Sequence, residues 1–165
     1  MTADDVPPEE TLAHLQSDGA DWISTVDVTD EGLRVGDQVT FSKPMTEADV
    51  ERFAAASGDT NPLHFDRGFA ERTRFDEPVV HGVLVVGLVS AALARLPGLV
   101  IYLSQDVSFV GPVPVNSVAT ASVEVVDDLG EGRYRLATEV IREDGDPAVE
   151  GEAVVLIEEP PTGTG

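Results

Sequence analysis

The chain has 165 residues, no cysteine, and 31 acidic against 10 basic residues, for a formal net charge of −21. That length fits one domain with a core of its own, and the lack of cysteine excludes disulfides, thiolate catalysis and cysteine-built zinc sites. Nothing in the sequence makes a basic patch that would neutralise phosphates, which argues against a nucleic-acid partner.

Lys43 is the one lysine among the basic residues. This acid-rich, lysine-poor balance points to a salt-saturated cytoplasm, where a screening length of about 3 Å quiets the self-repulsion of so much like charge; an acidic mesophilic protein is the alternative.

Residues 1–31 read as an acidic N-terminal extension, in which "EETLAHLQ" puts Leu12 and Leu15 on one face of a short helix. The start has neither the basic n-region nor the apolar h-region of a signal peptide. The longest apolar run, Val83 to Ala94, falls short of the ~20 residues that span a bilayer. The expectation is a cytoplasmic protein without membrane insertion.

Residues 32–159 then form a single domain and 160–165 a disordered tail. "RVGDQVTFSKPMT" places Val35, Val39 and Phe41 in a strand. The period changes at Thr46, where "TEAD" resembles a capping box flanked by Met45 and Val50 at staple positions. The spacing predicts a helix through Val50, Phe53 and Ala54 that stops at Gly58.

After "SGDTNPLHFD", a helical turn is expected in "DRGFAERTRF". From His81 to Leu96 the apolar residues face every direction, predicting a helix buried on all sides, stopped by Pro97 and Gly98. Four β-rich runs follow, "LVIYLSQDVSFVGPV", "NSVATASVEVVDD", "GRYRLATEVIRED" and "PAVEGEAVVLIEE", separated by Asn116-Ser117, "DLGEG" and "DGDP" turns. Strand, buried helix and antiparallel meander make an α+β fold, an antiparallel sheet wrapped around a long apolar helix in the hot-dog arrangement.

Three places carry possible chemistry. Asp59 and His64 flank Asn61-Pro62, and the proline forces an extended backbone there, so both side chains sit on one loop. A carboxylate and an imidazole held one water apart can move protons to and from that water. An Asp after Gly is equally an ordinary turn former, and a histidine beside Leu63 and Phe65 suits a half-buried ring; composition alone leans that way. His81-Gly82 opens the apolar helix, where unpaired amides and the positive dipole end can hold a carbonyl oxygen. The alternative is a histidine cap and a glycine that relieves crowding. Ser90 shares a face with Val83, Val86 and Gly87 and can reach a substrate or bond back to its own helix.

Together, "FAAASGDTNPLHFD", "FDEPVVHGVLVVGLVSAAL" and "LSQDVSFVGPVPV" resemble the MaoC-like dehydratase family, most of all its (R)-specific enoyl-CoA hydratases. The resemblance covers about Gly36 to Glu158. It implies that Asp59 and His64 are the catalytic pair that adds water to a trans-2-enoyl thioester, giving an (R)-3-hydroxyacyl-CoA. It further implies that the Gly82 amide holds the thioester oxygen and Ser90 lines the site, with His81 and Asn61 in the same substrate-binding group.

No cofactor is implied, coenzyme A being part of the substrate, and no metal; the working unit is expected to be a homodimer or a dimer of dimers. Arg72 and Arg74, between the loop and the helix, are candidates to meet the nucleotide of coenzyme A. Asn116-Ser117 departs from the Gly-Asp turn of many relatives but is still a turn former. A dehydratase of branched or carboxylated 3-hydroxyacyl-CoA and a non-catalytic acyl-thioester binder remain alternatives.

Overall fold

The structure, a computed structural model, describes residues 22–162. The short helix expected at Leu12 and Leu15 lies outside the described residues. Six strands form one antiparallel sheet: β1 (Ile23–Asp27), β2 (Gln38–Met45), β3 (Leu99–Phe109), β4 (Ser117–Gly130), β5 (Arg133–Arg142) and β6 (Pro147–Glu158), in the order β1-β2-β4-β5-β6-β3. Three α-helices lie between β2 and β3: α1 (Glu47–Ser57), α2 (Arg67–Ala70) and α3 (Gly82–Leu93). This is the α+β hot-dog architecture expected from the sequence.

Three details of the strands differ from the expectations. β1 falls inside the stretch that charge marks as an extension, yet it pairs with β2 from Ile23↔Ser42 to Asp27↔Gln38, so the sheet begins upstream of residue 32. Val35 is exposed and outside β2: the Asp37 carboxylate accepts the Arg34 amide at 2.8 Å and closes a turn just before the strand. The last four strands are not one meander. β4, β5 and β6 follow one another, whereas β3 lies on the far side of β6 at the sheet edge. The segment 110–116 therefore carries the chain away from that edge, and Asn116, at φ +68°, turns it into β4 with its amide on the Met45 carbonyl at 2.6 Å.

Period-two alternation decides which face of the sheet is buried. Val39, Phe41 and Met45 of β2 point inward together with Ala119, Ala121, Val123 and Val125 of β4 and Leu136 and Val140 of β5. Large meets small across the strands, with Phe41 opposite Ala121, so the inner face leaves room for a helix at core packing density. α3 fills that room with Val85, Leu88, Val89, Ala92 and Leu93.

α3 is not buried all round in the single chain. Val83 is 65% exposed, and Gly87 and Ser90 are exposed on the same stripe. One sheet covers one side of a helix, and the apolar composition of the other side is left facing outward.

α1 starts as its sequence predicts. The Thr46 hydroxyl accepts the Asp49 amide at 3.2 Å, and the Asp49 carboxylate accepts the Thr46 amide at 3.0 Å. The same carboxylate takes a hydrogen bond from the largely buried Lys43 ammonium, clamping β2 to the helix start. Burial pushes the Asp49 carboxyl upward, but the bonds from Lys43 and Thr46 and the lysine charge outweigh it and hold the group below the usual carboxylate value. Gly58 ends α1 at φ +81°, a left-handed conformation that suits glycine, with its amide on the Ala54 carbonyl at 2.8 Å.

Candidate active site

The loop after α1 is built from short-range bonds of the kind its sequence favours. Ser57 donates its hydroxyl to the Phe53 carbonyl at 2.7 Å and accepts the Asp59 amide at 3.1 Å. Asp59 Oδ1 accepts the Asn61 amide at 3.2 Å, and Asn61 Oδ1 accepts the Leu63 amide at 3.1 Å. Asn61 thereby caps a 3-10 turn over Pro62–His64, the side-chain mimicry of a backbone turn that Asx residues provide. One carboxylate oxygen of Asp59 shapes the loop, and the second makes no hydrogen bond among the described residues.

His64 is fixed by the segment leading into α3. Val80 donates to the Val113 carbonyl at 2.8 Å and Val115 to the Pro78 carbonyl at 3.1 Å, tying residues 78–80 to the segment after β3. The Val79 carbonyl then accepts His64 Nδ1–H at 2.6 Å. A carbonyl only accepts, so Nδ1 carries the proton and Nε2 is the free nitrogen.

A carboxylate oxygen of Asp59 and one ring nitrogen each from His64 and His81 lie within 4.8 Å of one another. Two hydrogen bonds of about 2.8 Å from a single water reach atoms that far apart. These three groups are also the cluster that could hold a metal ion, but their geometry argues against one. The His64 and His81 rings stack at 3.7 Å with 29° between their planes, so their in-plane lone pairs run side by side instead of converging as four-coordinate zinc requires.

His64 and Gly82 line a cavity of about 460 Å³ together with Leu63, Arg74, Val83 and Phe109. Its remaining walls are almost wholly apolar, the make-up of a site for an extended carbon chain. Gly82 opens α3, and His81 makes no side-chain cap to it, so the helix dipole and first-turn amides stand uncapped by a side chain. A Cβ on Gly82 would meet the Phe109 ring at 2.7 Å, so glycine is what allows that ring to lie against the helix start.

The structure places an Asp59 carboxylate oxygen beside His64 and His81 and puts His64 and Gly82 on the cavity, whose lining does not include Asp59; it divides the other candidates. Arg74 lines the cavity, with its guanidinium 5.0 Å from the Phe75 ring centroid, whereas Arg72 is exposed and outside the lining. Ser90 lies on the open stripe of α3 and Asn61 shapes the loop; neither lines the cavity. His81 is 2% exposed, packed behind His64 and away from the cavity lining. Sequence reasoning missed Ser57, the Val79 carbonyl and Phe109. Ser57 carried a local signal, a hydroxyl just before the helix-ending glycine; the other two depend on how distant segments meet.

Comparison with known proteins places these features in a family. The MaoC like domain matches residues 31–144. The (R)-specific enoyl-CoA hydratase of Aeromonas caviae is 45% identical over 131 residues, covering 77% of this chain and 97% of that protein. The (R)-specific enoyl-CoA hydratase of Rhodospirillum rubrum is 34% identical over 129 residues, covering 77% and 90%. Among solved structures, the R-hydratase PhaJ1 from Pseudomonas aeruginosa superposes with a TM-score of 0.74 at 34% identity, covering 87% of this chain and all of that one.

Proposed function

The chain belongs to the MaoC-like domain family, and from that premise we propose that it is an (R)-specific enoyl-CoA hydratase. As a hydro-lyase it adds water reversibly to trans-2-enoyl-CoA and forms (R)-3-hydroxyacyl-CoA. The observation that carries this reading is His64, with an Asp59 carboxylate oxygen within 4.8 Å of one of its ring nitrogens, facing the start of α3 across one apolar cavity that His64 and Gly82 both line.

Hydration breaks one O–H bond of water and the π bond between Cα and C3, and forms a C3–O and a Cα–H bond. Asp59 and His64 share one proton between them: one group takes the proton of the water while the other gives its own to Cα. Because Nδ1 of His64 is committed to Val79, its exchange runs through Nε2. Negative charge that builds on the thioester oxygen meets the Gly82 amide at the positive end of α3, a contact that strengthens as the enolate develops. No cofactor takes part beyond the coenzyme A carried by the substrate.

Arg74, at the cavity, is the cation we assign to the phosphates of coenzyme A. The exposed stripe of α3, with edge residues Leu103 and Phe109 of β3, supports a homodimer or a dimer of dimers in which a second copy covers them. No helix among the described residues is long and apolar enough to cross a membrane, and we place the enzyme in the cytoplasm. Incubation with a trans-2-enoyl-CoA and chiral analysis of the hydrolysed product tests the reading: the (R)-3-hydroxy acid is expected, and an (S) or racemic product would refute it.

A further inference from the structure

His81 is an unusual residue to bury. Its ring is 2% exposed, its Nδ1 has no hydrogen-bond partner, and an orphaned buried nitrogen is costly. Its contacts converge on the site from behind. Nε2 lies 3.0 Å from the main-chain oxygen of Asp59, which makes Nε2 the protonated nitrogen and Nδ1 the bare one. One ring face stacks on His64, and Phe53 and Phe65 close in with centroids at 4.8 and 5.8 Å. By chain position, His81 is also the residue whose peptide bond leads into Gly82.

We infer that His81 is a positioning residue that ties the three working parts of the site into one rigid unit without touching substrate. The Asp59 backbone is pinned from two sides, its amide by Ser57 and its carbonyl by His81. The His64 ring is likewise held in its plane by Val79 and from its face by His81. Loss of either His81 contact frees the carboxylate or the imidazole to drift from the shared water. The inference rests on the hydratase reading, in which that distance governs the chemical step.

The test compares His81→Phe, which keeps a ring to stack but deletes the donor, with His81→Gln, which keeps a donor but deletes the ring. Both are assayed with crotonyl-CoA beside the wild type. Small displacements of reacting groups cost up to roughly 100-fold, so H81F is expected to lose at least about tenfold in kcat. With substrate binding untouched, KM should stay within about twofold, and H81Q should recover part of the loss. A folded H81F with wild-type kcat would overturn the inference while leaving the hydratase reading intact; an inactive wild type would overturn both. Should H81F not fold, the ¹⁵N-histidine spectrum of the wild-type protein decides: a proton on Nε2 of His81 supports the inference, and a proton on Nδ1 overturns it.

Discussion

His64 donates a hydrogen bond from Nδ1–H to the Val79 carbonyl at 2.6 Å, and that bond leaves Nε2 as the ring nitrogen without a proton. The bond satisfies a part-buried N–H and fixes the tautomer, and it is the fixed tautomer that a proton-transferring histidine requires. Asp59 has a matching division of labour, one oxygen on the Asn61 amide and the other unassigned.

Substitution of Gly82 tests whether the start of α3 must stay bare. An alanine methyl would meet the Phe109 ring at 2.7 Å, so this half-exposed ring must move away from the helix start. Gly82→Ala should lower the melting temperature and the hydration rate together. Adding Phe109→Leu, which removes the obstructing ring, should restore much of the stability; thermal unfolding of the single and double variants measures the coupling.

Arg74 lines the cavity and Arg72 does not, so the two arginines should separate in kinetics. Arg74→Ala is expected to raise KM for crotonyl-CoA by roughly fivefold to tenfold, the range of one modest charge-assisted contact, with little change in kcat. Arg72→Ala should match the wild type. Equal KM values for both variants would remove Arg74 from the coenzyme A site.

Lys43 and Asp49 bind β2 to α1 in a largely buried pair, and removing one partner leaves the other charge stranded. Lys43→Met is expected to cost about 3 kcal/mol at neutral pH. Asp49 is held below the usual carboxylate value, so its contribution is present above about pH 4, the unfolded value, and is lost as the pH falls through the lower folded one. Chemical denaturation of the two proteins should therefore differ most near neutrality and converge in acid.

With a net charge of −21, the chain repels both itself and the phosphates of coenzyme A in dilute buffer. If the composition reflects a salt-rich cytoplasm, hydration should speed up steeply between dilute buffer and molar potassium chloride as the screening length shrinks to about 3 Å. A flat rate profile over that range would contradict the salt adaptation.

Much of this architecture was legible because its signals are local. The capping box at Thr46 and Asp49, the stop at Gly58 and the loop from Asp59 to His64 each depend on residues a few positions apart. What was not legible is long-range. Nothing in the run from Leu99 to Phe109 says that it will pair with β6 instead of β4, and that placement brings Phe109 over Gly82. Val79 reads as one more apolar residue, and its carbonyl becomes important only when residues 78–80 pack beside the 3-10 turn. The apolar residues all round α3 suggested burial on every side, but one sheet covers one side of a helix, and Val83, Gly87 and Ser90 face outward.

The most direct measurement follows the loss of enoyl absorbance of crotonyl-CoA in molar potassium chloride for the wild type, Asp59→Asn and His64→Ala. General acid–base groups contribute about 10²–10⁴-fold each, so each variant should lose at least about a hundredfold in kcat while remaining folded. Equal rates in all three proteins would contradict the assignment of Asp59 and His64 as the pair that handles the water.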